Sequence, residues 1–466
     1  MSTYSSRIET TPIEGLLIVH LDVHGDSRGW FKENWQRKKM VAAGLPDFHP
    51  VQNNVSNANK GATRGLHAEP WDKLISIGNG RAFCAWCDVR AGSATYGQTF
   101  TYEVGPETAV YVPWGVANGY QALEDNTVYS YLVNAHWSPD ATYTMVNLSM
   151  IDWPLEPTEI SAKDQAHPAL ADAAPMTPRR ILVTGAGGQL GRALRPLLPG
   201  AEFCTHADFD IAHPPARDWS TYEAIINCAA YNDVNGAESD RATCWETNAL
   251  APARLAAIAA EHNLTLVHVS SDYVHGGIPA NHNRGYGDDE TPAPLSLYGA
   301  SKAAGEAAAR VAPKHYVVRT SWVFGEGGNF VATMAGLARR GVAPKVISDQ
   351  RGRPTWAGDL AAGIVHLLAT GAPYGLYNLS SEGPAATRAE IAQAAFAAVG
   401  ADPADVTPVT TTEYADAFGP EPAVRPKEST FDLSKLETTG FTPSDWRESL
   451  ARYLSSSSLS SSPDLR

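Results

Sequence analysis

"ILVTGAGGQLGRAL", residues 181–194, carries an apolar, strand-like run into a glycine-rich turn and then into a helix-forming segment. Gly185, Gly188 and Gly191 stand three apart across that turn, with Gln189 and Leu190 between the last two. A dinucleotide pyrophosphate needs backbone free of side chains and amide dipoles pointing at it, and this arrangement supplies both. Downstream, "AIINCAA", "TLVHVSS" and "HYVVRTS" read as further strands, alternating with alanine-rich helices such as "NALAPARLAAIAAEHN" and "YGASKAAGEAAARVA". The pattern predicts an α/β unit built on a doubly wound parallel sheet.

What precedes the turn has a different texture. Residues 1–160 hold short alternating runs, among them "GLLIVHL", "KLISIG", "AFCAWCDV" and "NTVYSYLVN", separated by Gly, Pro and Asn turns. Helix is almost absent, so an antiparallel β barrel or sandwich is expected. A chain of 466 residues is too long for one ordinary core. The alanine- and proline-rich "QAHPALADAAPMTPRR" reads as a linker, and "SSSSLSSSPDLR" as a disordered tail. The expected organisation is a β domain over 1–165, a linker over 166–179, an α/β domain over 180–455 and a tail over 456–466.

Composition narrows the function classes. A net charge of −14 argues against a broad nucleic-acid surface. The longest apolar runs fall short of a membrane span, and "MSTYSSRIETT" lacks the apolar core of a signal peptide, so a cytoplasmic protein is expected. The five cysteines form no disulfide framework. "CAWC" invites a metal or redox reading, but in a strand Cys84 and Cys87 point to opposite faces, which favours packing thiols.

The chemistry of the second half centres on "YGASK". Tyr298 and Lys302 fall one helical turn apart on one face, where the ammonium can lower the tyrosine pKa and make the phenol a proton donor to an alkoxide. Ser271, at the end of the strand in "VSSDYV", can hydrogen-bond the same oxygen. These roles fit hydride transfer with a nicotinamide. Here the residues resemble the extended short-chain dehydrogenase/reductase superfamily and, within it, the dTDP-4-dehydrorhamnose reductases, over about 180–455. "TGAGGQLG", "NCAAY", "SSDYVHGG", "YGASKAAGE", "RTSWVFG", "DQRGRPTWAGDLA" and "RPKESTFDLSKL" occur in that family's order. The resemblance implies a Rossmann sheet with a small substrate-binding subdomain. It also implies catalytic Ser271, Tyr298 and Lys302, Trp322 and Arg353 bordering the sugar nucleotide, and Ala229 and Ala230 beside the cofactor. "AAYNDVNGAE" departs from the family at Asn235 and Gly236. The second strand ends near Thr205 and His206 without a clear acid for the ribose hydroxyls, so NADPH is favoured, with NADH open; Asp210 and Ile211 are expected to flank the adenine.

In the first half, "RGLHAEPWDKL" gathers Arg64, His67 and Lys73, and "ISAKD" supplies Asp164. An epimerase acting beside a ketone needs a base, a cation for the enolate and an acid on the other face. His67 backed by Asp164, Lys73 and Tyr131 suit those roles. "GDSRGWFKE", "VQNNVS", "RGLH", "YVPWGVANGY", "WSPD" and "ISAKD" make residues 7–165 similar to the dTDP-4-dehydrorhamnose 3,5-epimerases, cupin-like β barrels (jelly rolls). The resemblance implies Arg28 and Arg64 on the pyrophosphate, with Gln52 and Asn54 nearby. Asn118 stands where that family usually has histidine. The alternative of a metal-binding cupin has His67 and Glu69 as ligands but lacks a third at Asn118, so no metal is expected to be required.

The combined expectation is a bifunctional enzyme: 3,5-epimerisation of dTDP-4-dehydro-6-deoxyglucose, then reduction of its 4-keto group to dTDP-L-rhamnose. Its partners are expected to be this dTDP-4-keto-6-deoxyhexose and, at most, a second copy forming a homodimer. The same chemistry on a UDP-linked sugar or at a single carbon remains open, as does a non-catalytic nucleotide-binding protein.

Overall fold

Successive strand residues in the second half are apolar on both sides, and the fold uses both. Leu182, Ile225, Leu266 and Val317 pack into one core cluster, while their neighbours Val183, Ile226, Val267 and Val318 pack into another. Helical Leu255, Ala256 and Ala309 cover the first face and Leu190, Leu194, Leu360 and Ile364 the second. Sheets with both faces covered carry such continuous apolar strands. In this computed structural model, which describes residues 7–137, 141–277, 279 and 284–455, six strands form this sheet. Their order is Glu202–Cys204, Arg180–Thr184, Tyr222–Asn227, Thr265–Ser271, His315–Thr320, Gly375–Asn378. Every pairing is parallel. A third cluster joins helices Phe330–Arg339, Arg388–Ala398 and Trp446–Ser455 around Met334, Phe396 and Trp446.

The first half builds two antiparallel sheets. One has six strands in the order Ile8–Thr10, Leu17–His20, Thr108–Val112, Lys73–Asn79, Thr127–Val133, Gln52–Ala58. The other has five: Thr144–Met145, Thr63–Ala68, Val116–Ala122, Ala82–Asp88, Thr99–Val104. Ile18, Ile75 and Tyr129 from the first sheet meet Cys84, Trp86 and Tyr120 from the second in one core. Cys84 belongs to that core and Cys87 to a separate one with Leu66 and Ala117. Both thiols are fully buried, and burial raises both, Cys87 to about 12, so they pack rather than react.

The chain divides into two units at Arg179–Arg180. Residues 166–179, expected as a linker, instead lie on the first unit: Met176 is 2% exposed, bridges Arg90 and packs with Val89 and Ala117. Its alanines and prolines conceal the two anchors, Leu170 and Met176, that tie it down. The serine-rich tail lies outside the described residues. Among the described residues no helix is long and apolar enough to cross a membrane.

Candidate functional site

The parallel sheet reverses order at its first strand, Arg180–Thr184, which pairs with Glu202–Cys204 on one side and Tyr222–Asn227 on the other. Connections leaving a strand pair in opposite directions open a crevice at the carboxyl ends. Gly185 turns the chain there with φ +66°, and a Cβ would stand 2.6 Å from the Ala229 amide nitrogen, so only glycine fits. Gly188 caps the helix Gln189–Leu194. Gly185, Gly188, Gln189, Leu190, Gly191 and Ala230 line a cavity of about 430 Å³. An adjoining cavity of about 300 Å³ shares Gly185 and Ala230 and adds Ala229, Asp210, Ile211 and His206. The Thr205 hydroxyl is instead tied to Asp208 Oδ2 at 2.7 Å.

Ser271, Tyr298, Lys302 and Trp322 line the larger cavity too. Ser271 ends the strand Thr265–Ser271. Tyr298 and Lys302 come from the helix Leu297–Ala309, whose first turn is capped by the Ser296 hydroxyl. That helix approaches so closely that a Cβ on Gly299 would lie 2.2 Å from the Tyr273 carbonyl oxygen. Burial pushes the Tyr298 phenol well above the tyrosine range, and its contact with the Ser271 hydroxyl opposes that rise. Burial draws Lys302 down to about 8, and its Nζ donates to the Val269 carbonyl at 2.6 Å. Desolvation by burial is the largest influence on the phenol, and it acts against the lowering expected from lysine. The phenol is held protonated, the form that donates.

Two neighbours escape the sequence reading. Asp272, 2% exposed, accepts from the Ser271 hydroxyl at 2.9 Å, and burial raises its pKa. Arg388, first residue of the helix Arg388–Ala398, lies 4.7 Å from the Trp322 ring and lines the cavity. Asp272 was visible in "SSDYV"; nothing local marks Arg388. Arg353 is not among the residues lining this cavity, though its neighbour Pro354 is. Arg353 Nε donates to the Gly383 carbonyl at 2.8 Å and its Nη1 to that of Phe431 at 3.0 Å. Asn235 accepts from Arg425 Nη1 at 3.3 Å.

In the first unit a cavity of about 220 Å³ is lined by Asn54, Arg64, His67, Glu69, Lys73, Asn118 and Tyr131, among others. Strand register assembles it: His67 pairs with Asn118, and Tyr131 with Asn54. Asp164 reaches His67 from the one-turn helix Ala162–Gln165, which the Ser161 hydroxyl caps. His67 Nε2 lies 2.9 Å from Asp164 Oδ1, while Asp164 Oδ2 accepts from the Gly65 amide at 3.3 Å. Burial lowers the His67 pKa and Asp164 partly restores it. Lys73, 4% exposed, pairs with Glu69, donates to Asn118 Oδ1 at 2.5 Å and stands 5.6 Å from the Tyr131 ring centroid. Burial lowers Lys73, against the pull of Glu69, and lifts Tyr131 to about 12. Asn118 passes the contact on, donating to the Tyr129 hydroxyl at 3.3 Å.

Gln52 supports rather than lines this cavity, donating to Asn54 Oδ1 at 2.9 Å. Arg28 is not among the lining residues either. It sits at the turn of an exposed hairpin, Val23–Asp26 with Gly29–Lys32, and its guanidinium pairs with Asp26, two residues back in the chain. Its side chain is 88% exposed.

Comparison with known proteins follows this division. The family model for dTDP-4-dehydrorhamnose 3,5-epimerase matches residues 10–172, and that for the RmlD substrate binding domain matches 179–459. A dTDP-4-dehydrorhamnose reductase of Mycolicibacterium smegmatis is 37% identical over 282 residues, covering 58% of this chain and 84% of the relative. An RmlC homolog of Streptococcus pyogenes is 42% identical over 185 residues, covering 37% of this chain and 93% of the relative. The crystal structure of a Bacillus anthracis dTDP-4-dehydrorhamnose reductase in complex with NADP is 33% identical, with a TM-score of 0.53, and covers 59% of this chain and 99% of that one. The chain belongs to the RmlD reductase family through its second unit and to the RmlC epimerase family through its first, and so joins two enzyme families in one polypeptide.

Proposed function

We propose that this chain converts dTDP-4-dehydro-6-deoxyglucose to dTDP-L-rhamnose in two steps, epimerising C3 and C5 in the first unit and reducing the 4-keto group in the second. The observation that carries the reading is that each unit gathers the groups its own step requires around its own cavity. Finer features belong to the same proposal: a cupin-like jelly-roll barrel, a Rossmann sheet with a small substrate subdomain, a cytoplasmic location, and a homodimer. The exposed Trp30 and Phe31 beside Arg28 favour cover by a second copy.

For the first step, His67 donates its Nε2 proton to Asp164, which leaves Nδ1 with a free lone pair to take a proton beside the ketone. A lowered pKa keeps that imidazole neutral and basic. Lys73 steadies the enolate oxygen, its charge supported by Glu69. Tyr131, protonated at neutral pH, returns a proton on the opposite face. Arg64 and Asn54 are placed to hold the pyrophosphate side of the sugar nucleotide.

For the second step, the side-chain-free turn at Gly185 and the two adjoining cavities fit an extended dinucleotide. When bound there, NADPH supplies the hydride; the NADP complex of the Bacillus anthracis relative and the absence of an acid at Thr205 and His206 favour it over NADH. Ser271 orients the ketone oxygen and Tyr298 delivers the proton, with buried Lys302 as the compensating charge. Trp322 and Arg388 border the sugar nucleotide. Joining the units raises the effective concentration of one product at the next site. The test is NADPH absorbance with dTDP- and UDP-linked 4-keto-6-deoxyglucose: dTDP-dependent oxidation is expected, and none with either sugar overturns the reading.

A further inference from the structure

We propose that the first unit holds an inhibitory site for one divalent transition-metal ion, formed by His67, Asp164 and His167. Asp164 and His167 are not among the residues lining the sugar cavity, so the site stands beside it and shares the His67 ring with it. Asp164 Oδ1 lies 2.9 Å from His67 Nε2 and 3.7 Å from His167 Nε2. The three ligand atoms fall within 4.8 Å of one another. Zinc–nitrogen bonds of about 2.0–2.1 Å in a tetrahedron place ligand atoms about 3.3 Å apart, a value the two separations bracket.

A second observation points to a ligand independently of this clustering. The His167 side chain is 5% exposed, yet neither ring nitrogen has a hydrogen-bond partner. Buried polar groups are ordinarily paired. The ring is not adrift on a loose loop, because the His167 carbonyl accepts from Asn147 Nδ2 at 3.0 Å. It stands edge to face with His67, centroids 5.2 Å apart. Two imidazoles and one carboxylate suit Zn²⁺, Co²⁺ or Cu²⁺, whereas Mg²⁺ and Ca²⁺ prefer oxygen alone.

The effect on catalysis rests on the epimerase reading. In the free chain Nε2 of His67 carries the proton and Nδ1 the lone pair. An ion on Nε2 takes a lone pair there, so the Nε2 proton is released and one is bound at Nδ1, leaving the imidazole neutral. The nitrogen left to act on the sugar is then a donor and no longer a base. Exchange at C3 and C5 stops although the ion never occupies the sugar cavity, and reduction of an already inverted sugar continues.

The experiment uses the full chain, stripped by chelation and titrated with Co²⁺. One equivalent is expected to produce the visible d–d absorption of a four-coordinate site, displaced by Zn²⁺ and absent from His167→Gln and His167→Asn. Zn²⁺ is expected to stop solvent-deuterium exchange at the same equivalence, with at least a tenfold loss of sensitivity in both variants, each compared with its own metal-free rate. Absence of the Co²⁺ absorption from the wild-type chain overturns the site, as does absorption that persists unchanged in folded variants. Absence of exchange from the metal-free wild type sinks the epimerase reading instead, and the Co²⁺ absorption alone then decides the site.

Discussion

Tyr298 and Lys302 sit one turn apart on the helix Leu297–Ala309, whereas His67 and Asp164 meet at 2.9 Å across 97 residues of chain. The first pair owes its spacing to helix geometry and needs tertiary structure only to press that helix against the strand ends. The second pair exists only because the chain beyond the strands of the two sheets returns to the strand Thr63–Ala68 and is capped there by Ser161. Burial dominates in both places, but with different results. It favours the protonated phenol at Tyr298 and the neutral imidazole at His67, the forms the proposed acid and base need. One physical term thus prepares opposite proton traffic, according to whether the group is neutral with its proton or without it.

The largest expected effects separate the two sites. Tyr298→Phe should lower NADPH oxidation by ~10²–10⁴-fold while leaving deuterium exchange at C3 and C5 untouched. Reduction near the wild-type rate would remove Tyr298 from the mechanism. His67→Ala should cut exchange by a similar ~10²–10⁴-fold and, in consequence, stop NADPH consumption on the unepimerised ketone until a separate active epimerase is added. Consumption at the wild-type rate without that addition would show that the units do not catalyse consecutive steps.

A smaller contrast lies in pH. Lys302, drawn down to about 8, is charged below that pH and neutral above it. Reduction should therefore fall as pH rises through 8, approaching about tenfold per unit. The His67 pKa is lowered, so its base form survives to lower pH than an ordinary histidine allows, and exchange should persist into mildly acid solution. Initial rates of each step across pH check this, and coincident profiles would contradict the assignment. The smallest effect concerns Asn118, which cannot titrate and is held between Lys73 and Tyr129. One carbon should exchange ahead of the other, seen by mass spectrometry as a singly labelled sugar, and Asn118→His should shorten that lag.

Much of this was legible in the chain because its signals are local. Alternating runs marked the two-sheet unit, and the strand–glycine–helix sequence marked the parallel sheet and the turn that approaches Ala229. Arg388 was not legible: it reaches Trp322 from a different helix, and no local pattern sets that distance. His167 likewise gains its place only when Asp164 turns toward His67. For Arg28 and Arg353 the resemblance implied contacts with the sugar nucleotide, and the partners that folding gives them within the chain, a carboxylate two residues from Arg28 and two backbone carbonyls for Arg353, were not legible.

The sequence by itself determined which residue types are available, the two periodicities, and the four-residue step from Tyr298 to Lys302, because backbone geometry converts spacing into direction. Tertiary structure alone decided which groups lose water and which partners they find. It lifted Tyr298 instead of lowering it, set Lys73 between Glu69 and Asn118, and fastened residues 166–179 to the first unit. Desolvation and long-range pairing depend on every element packed around a group, and no short window of sequence contains them.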